Sequence, residues 1–131
     1  MIITKEALTE IIEHARGRSF EVCGLLAGTE GRVSKIYRMA NTEEEPETGY
    51  FMDPKEQLNV MKEIRNQGLE LLGIYHSHPV SPAYPSPRDV KQAFYDEVSY
   101  LIVSLLQKEP KVRAFKIEEG KIREEKIVTS G

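Results

Sequence analysis

Apolar residues recur along this chain with two different spacings. After a short apolar start at residues 1–3, Thr4 is a typical helix N-cap, and the next apolar positions share one helical face. A second helix is expected to begin at Asp53, which can cap it, with Pro54 at its first position. Gly68 is placed to end that helix.

Continuous apolar runs indicate strands that are buried on both faces. They occupy residues 20–28, 70–75 and 98–106, and the first contains one acid, Glu21. Two turns of sequence Glu-Gly separate further strands. These further strands are residues 32–40, 112–118 and 121–128, of which the last two are expected to form a hairpin. Interleaved strands and helices favour an α/β or α+β architecture with a mixed sheet.

Two segments lack the apolar spacing of helices and strands. The proline-rich stretch 79–88 predicts a rigid loop, followed by a helix over residues 86–96. The acidic stretch 41–49 has no apolar anchor, which is typical of a solvated loop. A flap that borders a substrate is the alternative for this second segment.

Composition narrows the class of protein. The 131 residues carry 18 Lys+Arg and 21 Asp+Glu, a net charge of −3, with 40% hydrophobic residues, as expected for one soluble domain over residues 1–131. No apolar run is long enough for a membrane span, and the first residues do not resemble a signal peptide. The mildly acidic balance argues against nucleic acid as a partner. A single cysteine, Cys23, favours a reducing, cytoplasmic setting.

His76 and His78 lie on either side of Ser77 at the end of a predicted strand. Because alternate strand residues point to the same face, both imidazoles can converge on one metal ion. Asp89, in the segment that follows, offers a carboxylate. Two histidines, one carboxylate and an open position for water make a catalytic type of zinc site, whereas structural zinc sites usually use cysteines.

Competing explanations exist for several of these residues. Ser86 and Asp89 have the spacing of a helix capping box, which is compatible with a metal-binding role for Asp89. Cys23 could act as a nucleophile with His14, although its apolar surroundings favour packing. The chain lacks the P-C-x-x-C signature of zinc deaminases and the H-E-x-x-H signature of zincins.

The joint spacing of His76-Ser77-His78, Ser86 and Asp89 resembles the JAMM motif of the MPN-plus metallopeptidase family, H-S/T-H-x7-S-x2-D. The family has a further glutamate on an earlier strand, and Glu21 in Glu21-Val22-Cys23-Gly24 resembles it. The surrounding sequence is similar to short, free-standing prokaryotic members.

This resemblance implies an MPN domain, a cytidine-deaminase-like fold with a mixed, curved β-sheet flanked by helices. It implies one Zn²⁺ per chain, held by His76, His78 and Asp89 with water as the fourth ligand. Glu21 is then the general base, and Ser86 hydrogen-bonds the oxyanion of the tetrahedral intermediate.

The resemblance also implies a substrate class. The expected reaction is hydrolysis of the peptide or isopeptide bond after the C-terminal Gly-Gly tail of a ubiquitin-like or sulfur-carrier protein. A non-catalytic MPN scaffold is the alternative, since some relatives lack the metal ligands. Exposed sheet edges would also permit a homodimer.

Overall fold

The computed structural model describes all 131 residues, and its eight strands form one sheet. The strands are β1 Ile2–Thr4, β2 Cys23–Thr29, β3 Arg32–Met39, β4 Glu70–His78, β5 Ser99–Ser104, β6 Lys111–Glu118, β7 Lys121–Glu125 and β8 Val128–Ser130. The helices are α1 Lys5–Ala15, α2 Pro54–Asn66 and α3 Pro87–Lys91. None of the three helices is long and apolar enough to cross a membrane.

The sheet is mixed, as predicted, with the strand order β7-β6-β5-β4-β2-β3-β1-β8. β4 pairs in parallel with β5, and β1 pairs in parallel with both β3 and β8, whereas the other pairs are antiparallel. β7 and β8 lie at opposite ends of this order, but only Lys126 and Ile127 separate them. So short a connection spans roughly 11 Å, so the sheet must curl until its two edges are close together.

The curl corrects one prediction. Residues 121–128 do not form a single hairpin strand, because only Lys121–Glu125 pairs with β6. The chain then crosses to the other edge, where Val128–Ser130 pairs with β1. The amide of Val128 donates to the carbonyl of Met1 over 2.8 Å and helps to hold the two edge strands together.

Local sequence explains where the helices and turns form. The Thr4 hydroxyl accepts a hydrogen bond from the Ala7 amide, and the Asp53 carboxylate accepts one from the Glu56 amide. Both Glu-Gly turns place two successive residues at positive φ, as type I′ hairpin turns require. These residues are Glu30 (φ 52°), Gly31 (φ 73°), Glu119 (φ 49°) and Gly120 (φ 78°).

The third helix is shorter than predicted, ending at Lys91 instead of continuing to residue 96. The residues beyond it are drawn toward the sheet: the Tyr95 amide donates to the Tyr100 hydroxyl on β5 over 3.2 Å. Lys116 on β6 donates to the carbonyl of Glu97. Tertiary hydrogen bonds therefore replace the helical ones that the sequence pattern predicts.

The two faces of the sheet carry separate apolar clusters. One cluster, against α1, contains Ile11, Tyr75 and Leu101, and the other, on the side of α2, contains Cys23, Ile64 and Ile102. All of β5 and nearly all of β2 are buried, which confirms the prediction from their continuous apolar runs. The histidines of β4 lie on the α2 side, where they close one end of the cluster.

Gly24 is a position where only glycine fits. A Cβ atom there would lie 2.3 Å from Cε1 of Tyr75 and 2.5 Å from the carbonyl oxygen of Tyr37. We expect Gly24→Ala to lower the free energy of unfolding by about 3 kcal/mol, since a packed core resists insertion of a methyl group. Chemical denaturation measures this loss.

The control is Gly31→Ala, at a turn where a Cβ meets nothing within 4 Å and only the positive φ is unfavourable. Its expected cost is about 1 kcal/mol. Equal stability of the two variants would contradict the steric argument for Gly24.

Candidate metal centre

Strand β4 brings two imidazoles to its carboxyl end. His76 and His78 project to one face, and Ser77 points to the other, where its Oγ accepts a hydrogen bond from the Val22 amide over 2.9 Å. Asp89 approaches from α3 and completes a cluster in which the side chains are 1%, 3% and 7% exposed for His76, His78 and Asp89. The three potential ligands are thus buried side by side.

The three side chains point single atoms at a common centre. His76 Nε2 lies 3.1 Å from His78 Nε2, and the Asp89 Oδ2 atom lies 3.1 Å from the former and 3.0 Å from the latter. Ligand atoms roughly 2.0–2.1 Å from a tetrahedral zinc ion lie about 3.3 Å apart. The observed triangle fits such an ion after a shift of a few tenths of an ångström.

The surroundings fix the orientation of the imidazoles. His78 Nδ1 lies 2.7 Å from the carbonyl oxygen of Pro82, which can only accept, so Nδ1 keeps its proton. His78 Nε2, which hydrogen-bonds Asp89 in the metal-free chain, is therefore the nitrogen that can bind a metal once its own proton is released. The ring of Tyr50 stacks on His76 with centroids 4.6 Å apart. His76 Nδ1 is buried without a hydrogen-bond partner, so ring stacking rather than a second hydrogen bond holds this histidine.

Asp89 also forms the predicted capping box. Its amide donates to the Ser86 hydroxyl over 3.1 Å, and its Oδ2 accepts a hydrogen bond from the Ser86 amide over 2.9 Å. The same carboxylate oxygen therefore caps α3 and faces both histidines. The two explanations offered by the sequence are compatible in the structure.

Glu21 lies beside this cluster, with the side chain 5% exposed. One of its carboxylate oxygens is within 4.8 Å of a ring nitrogen of each histidine, and Oε1 has no hydrogen-bond partner. Glu21 precedes β2 instead of lying within a strand that starts at residue 20. Its amide donates to the Pro46 carbonyl over 2.7 Å, so a loop and not the strand ladder holds it.

Electrostatics separates the roles of the acids. Burial raises the pKa of Glu21 to about 7, against the opposing charge of His78. Burial also acts on Asp89, but hydrogen bonds from His76 and His78 outweigh it and hold the pKa of Asp89 well below its usual range. In the metal-free chain near neutral pH, Asp89 is therefore ionised, and Glu21 can both take up and release a proton.

The pKa values of the two histidines also shift in opposite directions. Burial lowers the pKa of His76. Burial also acts to lower the pKa of His78, yet hydrogen bonds to Asp89 and to the Pro82 carbonyl raise it overall.

The acidic segment 41–49 packs against the centre. Glu43 forms an ion pair with Arg88 of α3, and a Cβ on Gly49 would lie 2.5 Å from the Arg88 guanidinium. Together with the hydrogen bond from Glu21 to Pro46, these contacts dock the segment beside the buried acid. The expectation of a purely solvated loop is therefore incomplete.

Comparison with known proteins assigns the family. A family model described as prokaryotic homologs of the JAB domain matches residues 4–118. The chain belongs to this family. The resemblance to JAMM and MPN-plus proteins seen in the sequence is thereby confirmed.

Similar prokaryotic proteins carry the names of peptidases. The chain is 42% identical over 100 residues to a probable TtuB-protein conjugate cleaving protease of Thermus thermophilus, covering 76% of this chain and 64% of that protein. It is 36% identical to a desampylase of Pyrococcus furiosus, covering 98% and 89%. It is 35% identical to a CysO-cysteine peptidase of Mycobacterium bovis, covering 97% and 89%.

Solved structures share the fold. A solution structure from Desulfitobacterium hafniense superposes with a TM-score of 0.88 at 39% identity, covering 99% of this chain and 93% of the other. A JAB1/MPN domain protein from Archaeoglobus fulgidus gives 0.65 at 18% identity, covering 98% and 97%, which shows the fold alone. The expected curved, mixed sheet of an MPN domain is confirmed.

The structure of this JAB-family chain excludes the Cys23–His14 pair. Cys23 lies in the apolar cluster on the α2 side, and burial raises the pKa of its thiol to about 12. His14 lies on the opposite side, where its Nδ1 is 2.7 Å from the Tyr75 hydroxyl. A thiol that stays protonated and lies on the other side of the sheet from His14 is not activated by it.

Two contacts at the centre were missed from the sequence, namely the stacking of Tyr50 on His76 and the bridge from Arg88 to Glu43. A single aromatic residue after an acidic loop carries no recognisable spacing, and Arg88 is one of many charged residues. Only the three-dimensional structure shows that Tyr50 contacts His76 and that Arg88 contacts Glu43 in the acidic segment.

Asp89→Asn tests whether the carboxylate binds metal beyond its capping role. The amide oxygen can still accept the hydrogen bond from Ser86, so α3 should persist, but the negative charge is lost. We expect zinc affinity, measured by competition with a chromophoric chelator, to fall at least about 100-fold. This is more than most substitutions cost at residues that only hydrogen-bond a metal ligand.

Asp96→Asn, at an exposed position beyond α3, is the matched control and should bind zinc like the unaltered chain. Unchanged affinity in Asp89→Asn would leave capping as the only role of Asp89.

The pKa of Glu21 predicts a pH dependence of stability in the metal-free protein. Its pKa rises from 4.5 to about 7 on folding, so the folded state holds a proton that the unfolded state has released between these values. This stabilisation is full below pH 4.5 and is lost as the pH rises through 7. The melting temperature, relative to that of Glu21→Gln, should fall across this window and then level off.

Glu30→Gln, at the exposed β2–β3 turn, controls for loss of an ordinary carboxylate. A constant difference between the unaltered chain and Glu21→Gln from pH 4.5 to 8 would contradict the raised pKa.

Proposed function

We propose that this chain is a zinc-dependent metallopeptidase or isopeptidase. Its substrate is a ubiquitin-like or sulfur-carrier protein, cleaved after the C-terminal Gly-Gly tail. The observation that carries the proposal is the convergence of His76, His78 and Asp89 within 3.0–3.1 Å of one another, next to the buried carboxylate of Glu21. The names of the relatives support a peptidase that acts on protein conjugates.

His76, His78 and Asp89 would hold one Zn²⁺ ion. The set of two imidazoles and one carboxylate, with a fourth position left to water, suits zinc in catalytic sites. When bound, zinc lowers the pKa of water toward neutrality and polarises the scissile carbonyl group. The carbonyl of Pro82 supports this role, because it keeps the proton on Nδ1 of His78, so that Nε2 is the nitrogen that can bind the metal.

Glu21 moves the protons of the reaction. Its carboxylate has one buried oxygen without a hydrogen-bond partner, so it can accept a proton from the attacking water. It then delivers that proton to the leaving amine. Burial raises the pKa of Glu21 to about 7 in the metal-free chain, and the positive charge of bound zinc would oppose this rise. A general base is most effective when its pKa lies near the operating pH.

Ser86 stabilises the oxyanion. Its Oγ accepts the capping hydrogen bond from the Asp89 amide, so its O–H remains able to donate. A hydroxyl held in place by a helix cap donates to the developing negative charge without reorganising first.

Residues 43–49 of the acidic segment would border the path of the extended tail, since Glu43 is docked to Arg88 beside the centre. The single, buried Cys23 agrees with a cytoplasmic setting. A homodimer remains a prediction. A non-catalytic scaffold is the weaker proposal, because this chain keeps every ligand and the acid beside them.

Glu21→Gln is the central test of mechanism. The amide keeps the shape of the side chain but cannot accept the proton, so we expect zinc to be retained at one equivalent and kcat to fall at least about 100-fold. The substrates are Gly-Gly-tailed carrier proteins joined to cysteine or to a lysine side chain, and mass spectrometry identifies the products with and without chelator.

Glu30→Gln should cleave at the rate of the unaltered chain. Wild-type turnover by Glu21→Gln would refute the assigned mechanism. Less than a tenth of an equivalent of zinc in the unaltered chain after purification with zinc would favour the scaffold.

A further inference from the structure

The backbone of Glu21 is held from two sides. The next residue is fixed to β4, because the Val22 amide donates to the Ser77 hydroxyl and the Val22 carbonyl accepts from the Ser77 amide over 3.0 Å. Glu21 itself is outside the strand ladder, and its amide reaches the Pro46 carbonyl. Its carbonyl oxygen accepts a hydrogen bond of 2.8 Å from the side chain of Asn41.

Asn41 uses all the hydrogen-bonding capacity of its side chain. Its Nδ2 donates to the carbonyl oxygens of Glu21 and Gly49, over 2.8 and 3.0 Å. Its Oδ1 accepts from the amides of Glu43 and Phe51, over 3.0 and 3.1 Å. An asparagine amide has two donors and two acceptor lone pairs, so four partners satisfy it completely. Two carbonyls on one side and two amides on the other allow only one orientation of the group.

The side chain of Asn41 connects Glu21 with Tyr50, two residues of the centre that lie outside the strands. One bond fixes Glu21, and the bonds to Gly49 and Phe51 hold the residues on both sides of Tyr50, whose ring stacks on His76. The loop around residues 41–51 is otherwise irregular, so its position relative to Glu21 depends on these contacts and on the hydrogen bond from the Glu21 amide to the Pro46 carbonyl.

We propose that Asn41 is a positioning residue that sets the carboxylate of Glu21 relative to the two histidines. This inference rests on the proposed function, in which Glu21 transfers protons. Proton transfer depends steeply on distance, so an error of about 1 Å in the base can cost about 100-fold in rate. All four hydrogen bonds of the Asn41 side chain go to backbone groups of the protein, so Asn41 acts through Glu21.

Asn41→Asp separates the two halves of this network. The carboxylate can still accept hydrogen bonds from the amides of Glu43 and Phe51, but it cannot donate to Glu21 and Gly49 and it repels their carbonyl oxygens. We expect kcat for a Gly-Gly-tailed carrier conjugate to fall about 100-fold. KM and zinc content should stay within about threefold of the unaltered values, because substrate and metal contacts are unchanged.

Thr42→Val is the matched control on the same loop. It removes the hydrogen bond of 3.0 Å from the Thr42 hydroxyl to the Phe51 carbonyl and leaves Glu21 untouched. Its kcat should stay within about threefold of that of the unaltered chain, because the contacts of Glu21 are kept.

A double-mutant cycle distinguishes positioning from a general effect on structure. If Asn41 acts through Glu21, then Asn41→Asp should cost less than about threefold once Glu21→Gln is present. An equal loss in both backgrounds, a loss confined to KM, or an equal loss in Thr42→Val would overturn the proposal.

Hydrogen exchange tests the contact without any conjugate. In the unaltered, zinc-loaded chain, the Nδ2 protons of Asn41 should exchange at least about 10-fold more slowly than those of the exposed Asn59, because hydrogen bonds protect them. The Glu21 amide should exchange faster in Asn41→Asp and not in Thr42→Val. Equal exchange at Asn41 and Asn59 refutes the contact even if Asn41→Asp does not fold. Suppose that the unaltered chain cleaves none of the conjugates while its Asn41 Nδ2 protons are protected from exchange. That result would refute the proposed function but not the contact between Asn41 and Glu21.

Discussion

The structure depends on the burial of a carboxylate between two imidazoles at the end of a strand. Burying an ionised group is costly unless it is paired and hydrogen-bonded. Asp89 meets that condition with two histidine nitrogens and the Ser86 amide on one oxygen atom. Glu21, beside the same histidines, has no such partner, and its pKa rises accordingly. Two acids in one small volume thus acquire different protonation behaviour because one is paired and the other is not.

The fold supports the pairing by placing β4 inside the sheet and α3 against its carboxyl end. β4 lies in the middle of the strand order, between β2 and β5, so the histidines at its end are fixed from both sides. Cys23 pairs with His76 in register, which leaves Glu21 just beyond the last rung of the ladder. From there its carboxylate reaches His76 and His78, but the strands no longer control its backbone. Irregular loops hold Glu21 and Tyr50, which lie outside the strands of the sheet.

The sequence predicts the parts of the centre that follow local periodicity. Alternation along β4 places His76 and His78 together, and the capping box places Asp89 at the start of a helix. Contacts between distant segments were beyond such reasoning: nothing local indicates that Tyr50 stacks on His76 or that Asn41 reaches Glu21. The same limit explains the errors. Tyr100 takes the amide that would continue the third helix, and the curl divides residues 121–128 between two edges.

The pairing of β8 with β1 affects how the chain folds during its synthesis. β1 and β3 come early in the sequence, yet β8, which pairs with the outer side of β1, follows the seven other strands and is translated after them. Until then, β1 presents an unpaired edge that could join another nascent chain. Exposed Ile2 and Val128 lie in register at this seam, so its late completion adds apolar contact as well as backbone pairing. Misassembly that begins at this edge is separated by β3 and β2 from the histidines of β4.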